Sequence, residues 1–241
     1  MRDSIIAVMQ SLPVGDQART ALHGFRRLKR FVVFADQRIK EAYFRNNTVT
    51  KLHIACGRHV LHGWLNSEYC PGSLSVLRLD ATHQFPFEDG TFDYVFNEHM
   101  IEHIDFAAGL HMLSEVHRIL KPGGTLRLST PNLRFVLDLY QERRSPLQEA
   151  YLKWASSTTH TPADNPVFII NNFVRNWGHT FIYDENTLRS SLEKAGFAKI
   201  KQCQIQQSDH PELQNLENGS RMPSGFVELE SMICEATKGT T

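Results

Sequence analysis

Leu52-His53-Ile54-Ala55-Cys56-Gly57 is the stretch on which the fold of this chain turns. It is a short apolar run that stops on a glycine, as a buried strand does when it ends in a tight turn. Four more runs of this kind follow: Trp64-Leu65-Asn66-Ser67-Glu68, Val76-Leu77-Arg78-Leu79-Asp80, Phe92-Asp93-Tyr94-Val95-Phe96 and Thr125-Leu126-Arg127-Leu128-Ser129. Between the last two, Leu110, Leu113, Val116, Ile119 and Leu120 recur at a helical period over 106–120, and Lys121-Pro122-Gly123-Gly124 stops that helix and returns the chain to a strand. Strand, helical crossover and strand form a βαβ unit, which implies a parallel sheet.

Toward the N-terminus, residues 1–50 read as a helical extension. Leu22, Phe25, Leu28, Phe31 and Val32 keep helical spacing, with the basic cluster Arg26-Arg27-Leu28-Lys29-Arg30 on other faces. Such a face is either simply solvated or suited to a membrane surface. Toward the C-terminus, 141–180 loses periodicity and is rich in Ser, Thr, Asn and Pro, with aromatics at Tyr151, Trp154, Phe168, Phe173 and Trp177. It reads as a long irregular insertion, the kind that usually has a function. Asp184 is placed to N-cap a short helix through Leu188, Leu192 and Ala195 that ends at Gly196. A strand over 198–205, a polar loop over 207–225 and a last strand over 226–236 complete the order. The expectation is an α/β fold: a doubly wound, seven-stranded, mostly parallel sheet with an N-terminal helical extension over 1–50 and a domain over 51–241.

Composition excludes several classes. The chain has 241 residues, and 26 Lys+Arg balance 26 Asp+Glu, so a broadly basic nucleic-acid surface is disfavoured. No apolar run approaches the ~20 residues of a membrane span. Ile5-Ile6-Ala7-Val8-Met9 is too short for a signal-peptide core. Cys56, Cys70, Cys203 and Cys234 lie far apart with no C-x-x-C pair, which argues against a zinc ribbon or a disulfide scaffold and fits a reducing cytoplasm. No sequence repeat is visible.

Doubly wound sheets bind ligands at the carboxyl ends of their strands. The first strand ends at Gly57, where bare backbone lets a ligand approach, or where the glycine simply makes a turn. The run to Gly63 lacks G-x-G-x-x-G spacing, so a nicotinamide enzyme is not indicated. Glu68 ends the second strand and Asp80 the third. A carboxylate there can accept from ribose hydroxyls or from an adenine amino group, or can be an ordinary strand-end acid. The ordered set of three is more specific than any one member.

These stretches, with Phe85-Pro86-Phe87-Glu88-Asp89-Gly90-Thr91-Phe92-Asp93-Tyr94-Val95, Glu102-His103-Ile104, Leu120-Lys121-Pro122-Gly123-Gly124, His179-Thr180-Phe181 and Ala195-Gly196-Phe197, resemble the class I S-adenosylmethionine-dependent methyltransferases. The resemblance covers roughly residues 50–238 and is similar to the ubiquinone and sugar-pathway branch. It implies S-adenosylmethionine as cofactor. By position it implies Cys56 and Gly57 beside the methionine moiety, Glu68 on the ribose, Asp80 and the Ala81 backbone on the adenine, and Asn97 beside the sulfonium. Two positions depart from the pattern: Ala55 stands where the family usually has Gly, and Glu68 where it usually has Asp.

Methyl transfer needs an aligned acceptor and, for a hydroxyl, a proton acceptor. His99, His103 and His179 are the candidate catalytic residues, each otherwise a capping or packing histidine. His160, Asn171, Asn172, Arg175 and Trp177 are candidates for acceptor contacts in the insertion. The expected reaction is O-methylation of a small molecule or saccharide. Alternatives are an RNA methyltransferase, an inactive cofactor-binding partner subunit, or a metal hydrolase, because His99-Met100-Ile101-Glu102-His103 fits H-x-x-E-H. No metal is expected, since that pattern needs both histidines on one helix face and Asn97-Glu98 lie in a post-strand loop.

Overall fold

A computed structural model of the chain describes Gly24 and residues 34–240. The helical positions expected at Leu22, Phe25, Leu28, Phe31 and Val32, and the basic cluster 26–30, lie outside the described residues.

Seven strands form one sheet: β1 (Lys51–Ile54), β2 (Leu65–Glu68), β3 (Leu77–Arg78), β4 (Phe92–Glu98), β5 (Leu120–Pro131), β6 (Phe197–Cys203) and β7 (Ser231–Lys238). Their order is β3-β2-β1-β4-β5-β7-β6. The first five pair in parallel and β7 runs antiparallel to both neighbours. The strand order therefore reverses at β1 and β4, where an open sheet of this kind has its crevice.

Helix α1 (Ala35–Asn46) precedes β1, and α2 (Phe106–Ile119) is the crossover between β4 and β5. Asp105 caps α2 by accepting from the Ala108 N–H, and the side of α2 bearing Met112, Leu113, Val116 and Ile119 is fully buried under the sheet. After β5 come α3 (Leu133–Asp138), α4 (Pro146–Thr159) and α5 (Pro166–Arg175). The segment expected to be irregular is thus largely helical. Ser145 and Gln148 form a capping box with Pro146 at the first helical position, and Asn165 caps α5 by accepting from the Val167 N–H, with Pro166 at its first position. Phe135, Tyr151, Leu152, Ile169, Phe173 and Phe226 give these helices a small apolar core separate from the main one.

Asp184 caps α6 (Glu185–Lys194) as expected. The expected last strand begins later than its sequence suggests, because Gly225 at φ 86° first starts one helical turn, α7 (Phe226–Glu230). Cys56, Cys70, Cys203 and Cys234 are all free thiols. Among the described residues no helix is long and apolar enough to cross a membrane.

Candidate functional site

The carboxyl ends of β1, β2 and β3 meet along one rim. The chain leaves β1 through Ala55 and Gly57 at φ 55° and 53°. Glycine adopts this region freely, whereas Ala55 is held there at a cost of about 1–2 kcal/mol. A Cβ on Gly57 would meet nothing within 4 Å, so its face is open. The Gly57 N–H donates to Glu68 Oε2 at 3.0 Å, and the Tyr69 N–H to Oε1 at 2.8 Å. The Leu79 N–H donates to the Glu68 carbonyl at 3.0 Å, which sets Asp80 next along the rim.

Asp80 accepts from the Thr82 N–H and hydroxyl and lies 3.2 Å from His83 Nδ1. Burial alone would raise its carboxyl, but these partners outweigh burial and hold it below the usual carboxylate range. Ala81 packs half-buried against the main core. Cys56 is buried, and burial, then the Glu68 charge, push its thiol up to about 11, so it stays protonated. Asn97 pairs in register with Ile54 and its Nδ2 donates to the Ile54 carbonyl at 3.2 Å. Its Oδ1 is buried with no hydrogen-bond partner among the described residues.

Two residues beyond Asn97 a cavity of about 310 Å³ opens between the ends of β4 and β5 and the helical cap. Tyr151, Trp154, Phe173 and Trp177 supply aromatic walls, and His99, Glu102, His103 and His179 line its polar side. His99 sits at φ 47°. Its Nε2 accepts from the Arg221 guanidinium and lies 2.8 Å from the Ser231 hydroxyl. Arginine only donates, so the His99 proton sits on Nδ1, 3.3 Å from Glu102 Oε1.

Glu102 is fully buried and its Oε2 accepts from the Thr130 hydroxyl at 3.0 Å. Burial would raise its carboxyl. The His99 ring, and more weakly that of His103, override this and hold it below the ordinary range. Glu102 also organises its neighbours through its backbone: the Thr180 and Phe181 N–H groups donate to its carbonyl at 2.8 and 3.2 Å. This clamps His179 against His103, with ring centroids 5.0 Å apart. His179 Nδ1 donates to the Phe173 carbonyl at 2.8 Å, leaving Nε2 with its lone pair. Burial, the largest influence, lowers the His179 pKa and so favours the neutral ring.

All three candidate histidines therefore border one cavity, while the cofactor candidates gather on the adjoining rim. The candidate acceptor contacts fare less well. Trp177 borders the cavity, but His160 is an exposed helix C-cap, Asn171 donates to the Val167 carbonyl, Arg175 is exposed, and Asn172 is buried against Asn176. The H-x-x-E-H metal-hydrolase reading is not supported. Ile101–His103 is a single 3-10 turn, and the His99 Nε2 that would ligate is taken by Arg221. Sequence reasoning missed Arg221 and Glu230, which meet at 3.3 Å beside the cavity, with Glu230 also accepting from the Tyr151 hydroxyl at 2.5 Å. No local pattern marks them, because only the fold brings them to this place.

A family model described as a methyltransferase domain matches residues 34–202. No curated protein shows significant sequence similarity to the chain. Among solved structures, a SAM-dependent methyltransferase from Thermotoga maritima is 18% identical with a TM-score of 0.46, covering 92% of this chain and 94% of its own. One from Archaeoglobus fulgidus is 16% identical with a TM-score of 0.47, covering 87% and 94%. One from Mesorhizobium loti is 14% identical with a TM-score of 0.44, covering 79% and 91%. With a family match over most of its length, the chain belongs to the methyltransferase-domain family and is an S-adenosylmethionine-dependent methyltransferase.

Proposed function

We propose that the protein transfers a methyl group from S-adenosylmethionine to an oxygen of a small molecule or saccharide seated in the cavity under the helical cap. The observation that carries this reading is continuity: Asn97 faces Ile54 on the rim, and His99, two residues later, borders the cavity. One strand end thus joins a place for the donor to a place for the acceptor.

The rim suits the cofactor chemically. An adenosyl sulfonium with an amino-acid tail presents hydroxyl, amino and ammonium donors. The rim offers two carboxylates and the open backbone face of Gly57, and the buried Asn97 Oδ1 at the end of β4 has no hydrogen-bond partner among the described residues. Glu68 takes the ribose hydroxyls, Asp80 and the Ala81 backbone take the adenine, and Cys56, Gly57 and Asn97 flank the methionine part. The cofactor, when bound, supplies a methyl carbon already activated by positive sulfur. The chain's own residues align the acceptor, exclude water with the aromatic walls and receive the acceptor's proton at the His103–His179 side. His99 acts as a positioning residue through Glu102. The cavity is of the size usual for small ligands, whose sites span about 300–1,000 Å³, which favours a small acceptor over a polynucleotide.

The test is incubation of the purified protein with extract metabolites and radiolabelled S-adenosylmethionine, alongside calorimetric titration of S-adenosylhomocysteine. Label in a low-mass product bearing a methyl ether supports the reading. Label in RNA, or no binding of S-adenosylhomocysteine, overturns it.

A further inference from the structure

We propose that Glu102, His103 and His179 form a binding site for one divalent transition-metal ion, each side chain giving one ligand atom, at the edge of the acceptor cavity. Their ligand atoms all lie within 4.8 Å of one another. A bound first-row ion with bonds of about 2.0–2.2 Å brings its ligands to roughly 3–3.5 Å apart, so contraction on the order of 1 Å closes the site. The three residues come from chain segments nearly eighty positions apart, yet the Thr180 and Phe181 N–H bonds to the Glu102 carbonyl hold the segments together.

Two independent features point to a cation. The first is an incomplete carboxylate. Glu102 is wholly buried, so solvent does not reach it, and its Oε1 is faced at close range by the His99 Nδ1–H alone among the described residues, at a long 3.3 Å, which leaves that oxygen under-satisfied. That oxygen lies 4.0 Å from His103 Nε2, too far for a direct hydrogen bond. A buried carboxylate with an under-satisfied oxygen is costly, and an ion coordinated there lowers the cost. The second is an outer layer already built around the ligands. Metal-bound histidines donate their other N–H to a carbonyl or carboxylate, and ligating carboxylates are themselves hydrogen-bonded. His179 Nδ1 already donates to the Phe173 carbonyl, which leaves Nε2 as the coordinating nitrogen. Glu102 Oε2 is already held by Thr130, and the His99 Nδ1–H stands 3.3 Å from Oε1.

Two imidazoles and one carboxylate suit Zn²⁺, Mn²⁺ or Fe²⁺ better than Ca²⁺ or Mg²⁺, which favour oxygen-only shells. Three protein ligands leave coordination positions open, and the half-exposed His103 ring turns that opening to the cavity. A hydroxyl oxygen of the acceptor would take an open position, where the ion would make its proton more acidic, as it does that of bound water, and the proton would pass to solvent in the cavity, because the ligating nitrogens of His103 and His179 could no longer accept it. This last step rests on the methyl-transfer reading, whereas the ion site does not. It also departs from the sequence expectation of no metal: the converging pair is His103 with His179, rather than His99 with His103.

The experiment uses tag-free full-length protein stripped with a chelator, then titrated calorimetrically with ZnCl₂ and separately with MnCl₂. One ion per chain is expected with at least one of them. His103→Ala and His179→Ala each weaken its binding by about tenfold or more, and exposed His111→Ala leaves it unchanged. Thermal melts of the stripped variants report whether each still folds, and the half-exposed His103 supplies the variant that perturbs packing least. No uptake of either ion, or equal affinity in wild type and a folded His103→Ala, overturns the site. S-adenosylhomocysteine is titrated into the same samples. Its binding without metal uptake rejects the ion and leaves methyl transfer standing, while metal uptake without its binding supports the ion and rejects methyl transfer.

Discussion

The backbone N–H of Gly57 donates to Oε2 of Glu68 at 3.0 Å, so one carboxylate ties the tips of β1 and β2 together. If the same carboxylate holds the ribose, its loss removes a ligand contact and loosens the turn that presents Gly57. Glu68→Ala is expected to weaken S-adenosylhomocysteine binding by about 10- to 100-fold, and Asp80→Ala, further along the rim, by about 10-fold. Isothermal titration checks both, and unchanged affinity in the pair removes the adenosyl assignment.

The histidines should separate by role. His103 opens onto the cavity, whereas both ring nitrogens of His99 already face protein groups. His103→Ala is expected to lower kcat by about 100-fold or more with cofactor affinity kept. His99→Ala should instead raise KM and lower Tm, because it releases Arg221 and uncovers Glu102. Steady-state kinetics and melts on both variants distinguish this pattern, and equal kcat losses with unaltered KM and Tm would count against it.

Arg127 on β5 is fully buried between two carboxylates, 2.5 Å from Glu217 and 2.6 Å from Glu235, and it also donates to the Gln204 and Gln207 carbonyls. It fastens 204–217 onto the sheet. Arg127→Leu leaves two buried acids unpaired and is expected to cost about 3–5 kcal/mol. Arg127→Leu/Glu217→Leu/Glu235→Leu should recover part of that loss. Urea denaturation of the single and triple variants tests the ordering.

Gly109 lies within α2, where alanine ordinarily stabilises a helix by about 1 kcal/mol. Here a Cβ would come within 2.5 Å of the Tyr183 hydroxyl, and Tyr183 is fully buried. Gly109→Ala is therefore expected to destabilise by about 1–3 kcal/mol. The Tyr183 hydroxyl has no hydrogen-bond partner among the described residues, so Tyr183→Phe alone should be nearly neutral and should rescue Gly109→Ala. A double-mutant cycle without coupling would disprove the contact.

His53 on β1 is 1% exposed, and burial lowers its pKa to about 3. The folded value lies below the ordinary one near 6.5. Between the two, the unfolded chain takes up a proton and the folded chain does not. Stability contributed by neutral His53 is therefore present above pH ~6.5 and is lost on acidification, at a slope approaching 1.4 kcal/mol per pH unit, until about pH 3. His53→Gln should flatten the fall in Tm between pH ~7 and ~4.5. Parallel curves for the two proteins would show that His53 does not govern this window.

The strand tips were legible because each apolar run gives way to a glycine or a carboxylate at its carboxyl end: Gly57 just past β1, Glu68 as the last residue of β2 and Asp80 just past β3. The crossover helix was legible because Leu113, Val116 and Ile119 mark its buried side, although Leu110 is only partly buried and Leu120 already belongs to β5. The cap helices were not, because Tyr151 and Leu152 of α4 pack with the small Ala155 and Ser156, and α5 buries Asn172 beside Ile169 and Phe173, which blurs the period. Their start signals, Ser145-Pro146 with Gln148 and Asn165-Pro166, were nevertheless present. The cavity was only half legible. His99 and His103 follow β4 and could be placed by chain position, but Arg221 and Glu230 arrive through the antiparallel return of β7. No pattern confined to one segment encodes that meeting.

Strand β7 inserts between β5 and β6, although it is synthesised after both. As the chain leaves the ribosome, β1 to β5 can pair in turn, while β6 must wait for its sole sheet neighbour. The stretch just before β7 also carries Arg221 and Glu230 to the cavity. The nascent protein would thus assemble the rim of Gly57, Glu68 and Asp80 before it has closed the cavity beside it.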